Sequence, residues 1–571
     1  MKQALIIILV ITSFNLKAFV TLGSDNSCDY NTSLYSLQDL VDLNAGLEIR
    51  VTTQSTLYEN IEIDQSITIK GGYQNCDNAD ADIVSNSKTV IDGGAVNSVI
   101  EISQFDSPIN VGLHHLNLKN GMKLGSNSGG GMSIIDANDV GVNVSLYRSL
   151  ISNNTGGYGG GIYFNSDFGA VSLYESIILN NDATDNGGGI SCYGGYVNVG
   201  ADSGVILNSV FNTGLNYGNG GGIFAAGGCK VTVYSGTQGS LFEFKGIAGN
   251  TASNNGGGIY ASSGSRVVLN SNSQNNVINI NGNAADSDSS YIGNGGGIYL
   301  TGQGTSAELY GTLIKENFAQ NGGGIAVENS ASLYLGKYMG VACWNDNLCN
   351  EFVGNGASKN SGFGGAVYLN AGHVDMQNSA FHENRAESGV VMYATNSATA
   401  KLRNSFVYNN GSNGTDGWND VYTLGFYDSG LILNHVTMAN NLVTGASIRQ
   451  NSGYYSYTNS IIREPHVGLG ADITNIFGEE DCLLLHDDTG FDNLTNSMVA
   501  NPYFVDETNH DYRLSAISFA IDMCGEDAHT LPKDFYGNAM WDDPNLINDH
   551  GIRDAGAHES YMGDVIFMSG F

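Results

Sequence analysis

Three glycines run directly into an isoleucine six times between residues 158 and 326, in the segments YGGGIYF, DNGGGIS, GNGGGIF, NNGGGIY, GNGGGIY and QNGGGIA. The isoleucines are Ile162, Ile190, Ile223, Ile259, Ile298 and Ile325, separated by 28, 33, 36, 39 and 27 residues. A unit of that length cannot enclose a hydrophobic core by itself, whereas stacked copies can. Glycine tolerates both a left-handed backbone and a close neighbour. Its recurrence ahead of an apolar residue therefore marks a corner that the chain passes once per lap.

A second periodicity lies between these corners. The windows LYRSLISNN (146–154), LYESIILNN (173–181), LYGTLIKEN (309–317), MQNSAFHEN (376–384), LRNSFVYNN (402–410) and LNHVTMANN (433–441) share a large first residue, an apolar sixth and a final asparagine. Those asparagines are Asn154, Asn181, Asn317, Asn384, Asn410 and Asn441; a seventh window, YTNSIIREP from Tyr457, ends differently. Ahead of the windows, pairs such as Val144 and Leu146, or Val171 and Leu173, alternate with polar residues, which is the period of a half-buried strand. Helical spacing is confined to SLQDLVDL, where Leu37, Leu40 and Val41 fall at i, i+3 and i+4.

The expected fold is all-β, a single-stranded right-handed parallel β-helix with a short N-terminal capping helix over residues 37–43. Each lap adds one strand to each sheet, and its inward residues pile on those of the lap before. The glycines suit one corner. The asparagines suit the opposite one, because an amide can bond the same amide one lap along and tolerates the left-handed conformation. Tyr147, Tyr174 and Tyr310, second in their windows, are expected to face outward as a surface ladder. Longer laps must eject their surplus as loops, as at 281–294 and 340–351, where binding or catalysis can be carried.

Residues 1–18 read as a secretory signal, with Lys2, an apolar run from Ala4 to Ile11 and a small-residue exit at Ala18. No other segment of the sequence is long and apolar enough to span a membrane as a helix. The remaining divisions are 19–100, an N-terminal cap and first laps; 101–465, the repeats; 466–560, C-terminal laps and cap; and 561–571, a tail. Eight cysteines in an exported chain suggest disulfides, and order along the chain pairs Cys28 with Cys76, Cys192 with Cys229, Cys343 with Cys349 and Cys482 with Cys524. Lys and Arg number 22 against 56 Asp and Glu, a formal charge of −34. Such a field repels polyanions and argues against nucleic acid as a partner.

The glycine–isoleucine corner combined with [IF]-x-x-N resembles the repeats of polymorphic outer membrane proteins and related bacterial secreted parallel β-helix proteins. The segments IEIDQSITIKGGYQNC (61–76) and TVIDGG (89–94) are similar to the first laps of such proteins. NPYFVD (501–506), YRLSAISFAID (512–522) and DAGAHE (554–559) are similar to the closing region of choice-of-anchor proteins, with Phe519 where a proline is expected and Ala555 where an isoleucine is expected. The resemblance implies a pectate-lyase-like solenoid at the outer cell surface, with adhesion or glycan and protein binding as its role.

Some enzymes share this architecture, so the alternative is an extracellular lyase or glycoside hydrolase acting on acidic polysaccharide. A hydrolase needs two carboxylates facing one bond, and only HDD (486–488) and DHG (549–551) present themselves. A calcium-assisted lyase would draw on FHENRAES, with Glu383 and Arg385 as candidates beside His382 and Glu387. A turn ion pair is the simpler reading of those residues. Calcium ligands could come from Asp286 and Asp288 in DSDSS, although neither this stretch nor NDN (345–347) has EF-hand spacing. No cofactor is otherwise implied, and the balance points to a non-catalytic binding protein.

Overall fold

A computed structural model describes residues 18–560 apart from 45, 104–105, 201, 213–217, 236–245, 272–276, 286–292, 337–349, 360, 413–417, 466–468, 475–477, 526–532 and 538–550. The chain winds as a parallel β-helix. One lap illustrates the rest: strands Ile162–Asn165, Ala170–Tyr174, Ile177–Leu179 and Asp182–Asn186 follow one another around the coil. Each pairs in parallel with its counterpart in the next lap, Ile190–Tyr193, Tyr196–Val199, Gly204–Ile206 and Ser209–Val210. Valine and leucine at alternate positions of the second strand point inward, and one continuous apolar core runs the length of the coil.

Register is set by the glycine corner. The column Ile61, Ile100, Met132, Ile162, Ile190, Ile223, Ile259, Ile298, Ile325, Val367, Met392, Leu424 and Ile448 lies in direct cross-strand register. The three glycines have different tasks. Gly159 takes φ +73, the left-handed region. Gly160 and Gly161 do not, yet a Cβ on either would lie 2.4 Å and 2.6 Å from backbone oxygens of the next lap. Conformation and space both demand the first glycine, where a Cβ would lie 2.0 Å from the Ile162 carbonyl oxygen, and space demands the other two.

The opposite corner carries an amide ladder. The Nδ2 group of Asn154 donates to Oδ1 of Asn181 at 2.9 Å, and the series continues through Asn208, Asn250, Asn283, Asn317, Asn355, Asn384, Asn410 and Asn441. Each Oδ1 also accepts the backbone N–H of the preceding ladder residue, and each Nδ2 also donates to a core-strand carbonyl, as Asn181 does to Ile151. All ten amides are buried. The ladder residues do not take the left-handed conformation, contrary to the expectation from their type. That bend falls one residue earlier, at Asn153, Asn180, Glu316, Glu383, Asn409 and Asn440, where φ lies between 51 and 59°. A buried amide must aim its side chain inward along the stack; the residue before it makes the turn and faces solvent.

Asn186, Asn219, Asn255, Asn294 and Asn321, just ahead of the glycines, form a second series with reversed polarity. Here Nδ2 of Asn219 and Asn255 donate back to Oδ1 of the preceding lap, each at 3.2 Å.

The two ends are closed differently. At the N-terminal end, helix Leu37–Leu43 buries Leu37, Leu40 and Val41 in the common core. Ser36 and Asp39 form a reciprocal capping box, and the Leu37 and Gln38 amides donate to the Glu59 carboxylate. At the other end, the described residues of 504–525, 533–537 and 551–560 lie against the outer side of the last laps, with Leu514, Tyr512, Phe535 and Ala557 among those covering Ala380, Phe406, Ala439 and Ile461. The antiparallel pair Phe504–Asp506 and Asp511–Leu514 belongs to this segment. Gly556 has φ +92, and a Cβ there would sit 2.6 Å from the Thr437 hydroxyl, which explains the glycine of DAGAHE. Disulfides join Cys28–Cys76, Cys192–Cys229 and Cys482–Cys524; Cys343 and Cys349 lie outside the described residues.

Candidate functional site

Of the residues that sequence alone nominated for catalysis in FHENRAES, His382 and Glu383 approach each other, with Nδ1 3.7 Å from Oε1, while Arg385 and Glu387 are engaged elsewhere. Glu383 occupies a left-handed bend at φ +59 with its carboxylate 57 % exposed. Beyond the buried ladder residue Asn384, the Arg385 guanidinium donates to the Gly411 carbonyl of the next lap. Glu387 accepts the Asn419 amide at 2.7 Å. His382 bonds Glu351 at 2.6 Å and stacks on Tyr408, with ring centroids 5.0 Å apart. In HDD, His486 Nδ1 lies 2.7 Å from the Arg463 guanidinium and Asp487 accepts the Thr489 amide and hydroxyl. Asp286 and Asp288 lie outside the described residues. Asp25, Cys28 and Cys76 are grouped closely enough for a metal ion, but the two sulfurs are bonded to each other.

The expected tyrosine ladder is also redistributed. Tyr147 and Tyr174 are paired in register, but the rings against Tyr147 are those of His114 and His115. Tyr310 meets Tyr334 instead. A longer aromatic column stands on the glycine–isoleucine sheet, through Tyr163, Tyr193, Phe224, Tyr260 and Tyr299, with centroids 5.0–6.0 Å apart. Tyr163, Phe224, Tyr260 and Tyr299 each directly follow their isoleucine and Tyr193 stands three residues after Ile190, so all five lie on the face away from the core isoleucines, where rings of successive laps stack.

A cavity of about 610 Å³ opens on the outer side of the first laps. Two columns form its floor. Lys70, His114, Tyr147 and Tyr174 are in cross-strand register; Lys70 lies within its strand, Tyr174 stands one lap beyond the cavity, and the last three end their strands. Each of the last three is followed by a left-handed residue, His115, Arg148 and Glu175 in turn, with φ 52, 48 and 48°. The facing wall is the segment 82–88, contributing Asp82, Val84, Ser85, Asn86 and Lys88. It follows the helix Cys76–Asp80, which the Cys28 disulfide ties to the N-terminal strands. Gly72 makes room for it, because a Cβ there would meet Val84 at 2.9 Å.

Most charges in this cavity are already matched. Lys70 bonds Asp82 at 2.5 Å, and Tyr73 donates to the same carboxylate at 2.6 Å. Burial works against ionisation of Asp82, but these hydrogen bonds outweigh it and hold the carboxyl below its usual range. Arg148 donates twice to Glu175, which raises the guanidinium further, and Tyr147 joins the same carboxylate at 3.1 Å. Lys88 is the exception: among the described residues it has no carboxylate or hydrogen-bond partner, and burial lowers its ammonium from the usual value. His115 is 9 % exposed and its Nδ1 is buried without a partner. Burial, then the charge of Arg148, pushes its imidazole down to about 4, so the ring is neutral at pH 7.

No protein-family model matches the chain, and no curated protein matches it significantly. Sequence inspection missed this cavity because its parts come from residues 70, 82–88, 114–115, 147–148 and 175, which only the winding brings together. One local signal was present: Lys70, Lys88, His114–His115 and Arg148 are gathered in the first laps of a chain otherwise poor in basic residues.

Proposed function

We propose that this chain is a non-catalytic, exported β-helix of the kind the glycine–isoleucine and [IF]-x-x-N repeats resemble, presenting its flank at the outer cell surface to bind a glycan or protein ligand. The observation that carries the reading is the cavity over Lys70, His115, Tyr147 and Arg148. It is lined mainly by residues with charged or hydrogen-bonding groups, rests on paired strands, and holds one uncommitted cation. Its two carboxylates, Asp82 and Glu175, are each committed to a cation, so neither is an available base. Recognition on a fixed scaffold asks for this arrangement; acid–base cleavage asks for two free titrating groups across one bond. Three disulfides and the lack of a membrane-crossing helix among the described residues are compatible with an extracellular setting.

A glycan array and a cell-binding assay, run beside a turnover assay on acidic polysaccharide with and without Ca²⁺, test this reading. Saturable binding without product is the expected result. Release of unsaturated or reducing ends would overturn it and restore the lyase or hydrolase alternative.

A further inference from the structure

We infer that the cavity between segment 82–88 and the first laps receives a single anionic group of an acidic sugar, a carboxylate or a sulfate ester, with Lys88 as its charge partner. This rests on the binding reading above and names the ligand chemistry of that same site.

The charge count fixes the valence. Lys70 with Asp82 and Arg148 with Glu175 cancel pairwise, leaving the Lys88 ammonium as the surplus charge, and both histidines are shifted down by burial. A half-buried cation without a counter-charge is costly, and an incoming anion relieves that cost. His115 Nδ1, buried beside it and unpartnered, offers one directional hydrogen bond. A polyphosphate or nucleic acid would bring many charges to one cation and meet the field of a chain whose formal charge is −34. The second cavity, about 340 Å³ beside the N-terminal helix, is lined by Asp42, Glu62 and Asp64 and has the opposite sign.

The remaining lining favours a sugar over a small apolar acid. Ser85 and Asn86 bring hydroxyl and amide groups, and Tyr147 lines the cavity with the Arg148 guanidinium over its ring. The floor continues one lap along the axis to Tyr174, which is 48 % exposed, so the next ring of a chain leaving the cavity finds an aromatic platform about 4.8 Å further on. The cavity volume lies in the range of about 300–1,000 Å³ typical of small-ligand sites.

The test is titration calorimetry on the mature full-length protein with three tetrasaccharides: hyaluronan (carboxylate only), chondroitin sulfate (carboxylate and sulfate) and neutral cellotetraose. At least one acidic probe should bind, less tightly as salt rises, and the neutral one should not. Lys88→Met, which keeps the stem and removes the charge, should weaken binding at least about tenfold, whereas Lys88→Arg should retain it; unchanged thermal unfolding of both variants separates binding from folding. Preference for hyaluronan or for chondroitin sulfate would identify the anion, and both support the inference. Equal binding of cellotetraose, or an affinity indifferent to Lys88→Met, would overturn it while leaving a binding function standing. No binding on the glycan array or to cells would overturn both.

Discussion

Along the middle of the coil amide meets amide, from Asn154 to Asn441; in the last laps carboxylates take over. Asn441 has no asparagine above it, and its backbone N–H and Nδ2 donate to the two oxygens of Glu464, at 2.7 Å and 2.6 Å. The amides of this ladder all point their donors toward the C-terminal end, so a carboxyl, whose two oxygens both accept, suits that end as an acidic residue suits a helix N-terminus. The substitution has a consequence that an amide would not bring. Burial, outweighing the two donors and the Arg463 charge, pushes the Glu464 carboxyl up to about 8. In the closing segment, burial likewise raises Asp554 and Glu559; the Asp554 charge adds to the rise of Glu559, and the charges of Asp522 and Asp534 add to that of Asp554. The asparagine ladder itself is built of groups that do not titrate, and its C-terminal end is closed by one that does.

The largest effect should come from breaking the uniform part. Asn317→Ala leaves the Asn283 N–H and Nδ2 without their acceptor and the Ile280 carbonyl without its donor. Three buried groups at about 1–3 kcal/mol each predict a loss on the order of 4 kcal/mol, measured by denaturant unfolding. If the variant unfolds like the wild type, the ladder is not what holds the corner.

A pH series sharpens the contrast. A carboxyl whose folded value is raised contributes stability that is full below its unfolded value of 4.5 and is lost as pH rises through about 8. Between those limits the folded chain holds a proton that the unfolded chain has released. The expected outcome is that limited proteolysis cuts the C-terminal segment faster at pH 8.5 than at pH 5.5, with the helix-capped end unchanged, and that Glu464→Gln reduces the difference. Equal cutting at both ends would remove the distinction between them.

The smallest effect lies at the opposite end. Ser36→Ala removes one side of the capping box and should cost about 1 kcal/mol, read as a small drop in thermal midpoint with no pH dependence.

Six of the ten ladder asparagines were legible in the sequence, and the reason for missing the others is physical. Asn208, Asn250, Asn283 and Asn355 keep an apolar residue three places earlier, at Val205, Ile247, Ile280 and Phe352. In each, extra residues enter between the second and third strands of the lap and push the first half of the nine-residue window out of alignment. The second amide series was printed in the DNGGG, GNGGG, NNGGG and QNGGG segments but had no meaning until the laps were placed over one another. In FHENRAES, adjacency in sequence suggested a cluster. The bend at Glu383 and the inward turn of Asn384 send neighbouring side chains different ways.

Local composition by itself determined that this chain coils, because glycine triplets, alternating strands and recurrent asparagines each repeat at a length that only stacking can bury. It also determined the helix at the N-terminal end, whose capping and apolar spacing are written within eight residues. The tertiary structure alone decided which side chains share a surface. Lys88, His115 and Arg148 come from different laps and from a segment outside the repeat. Contacts across laps depend on register, and register is fixed by the whole stack rather than by any stretch within it.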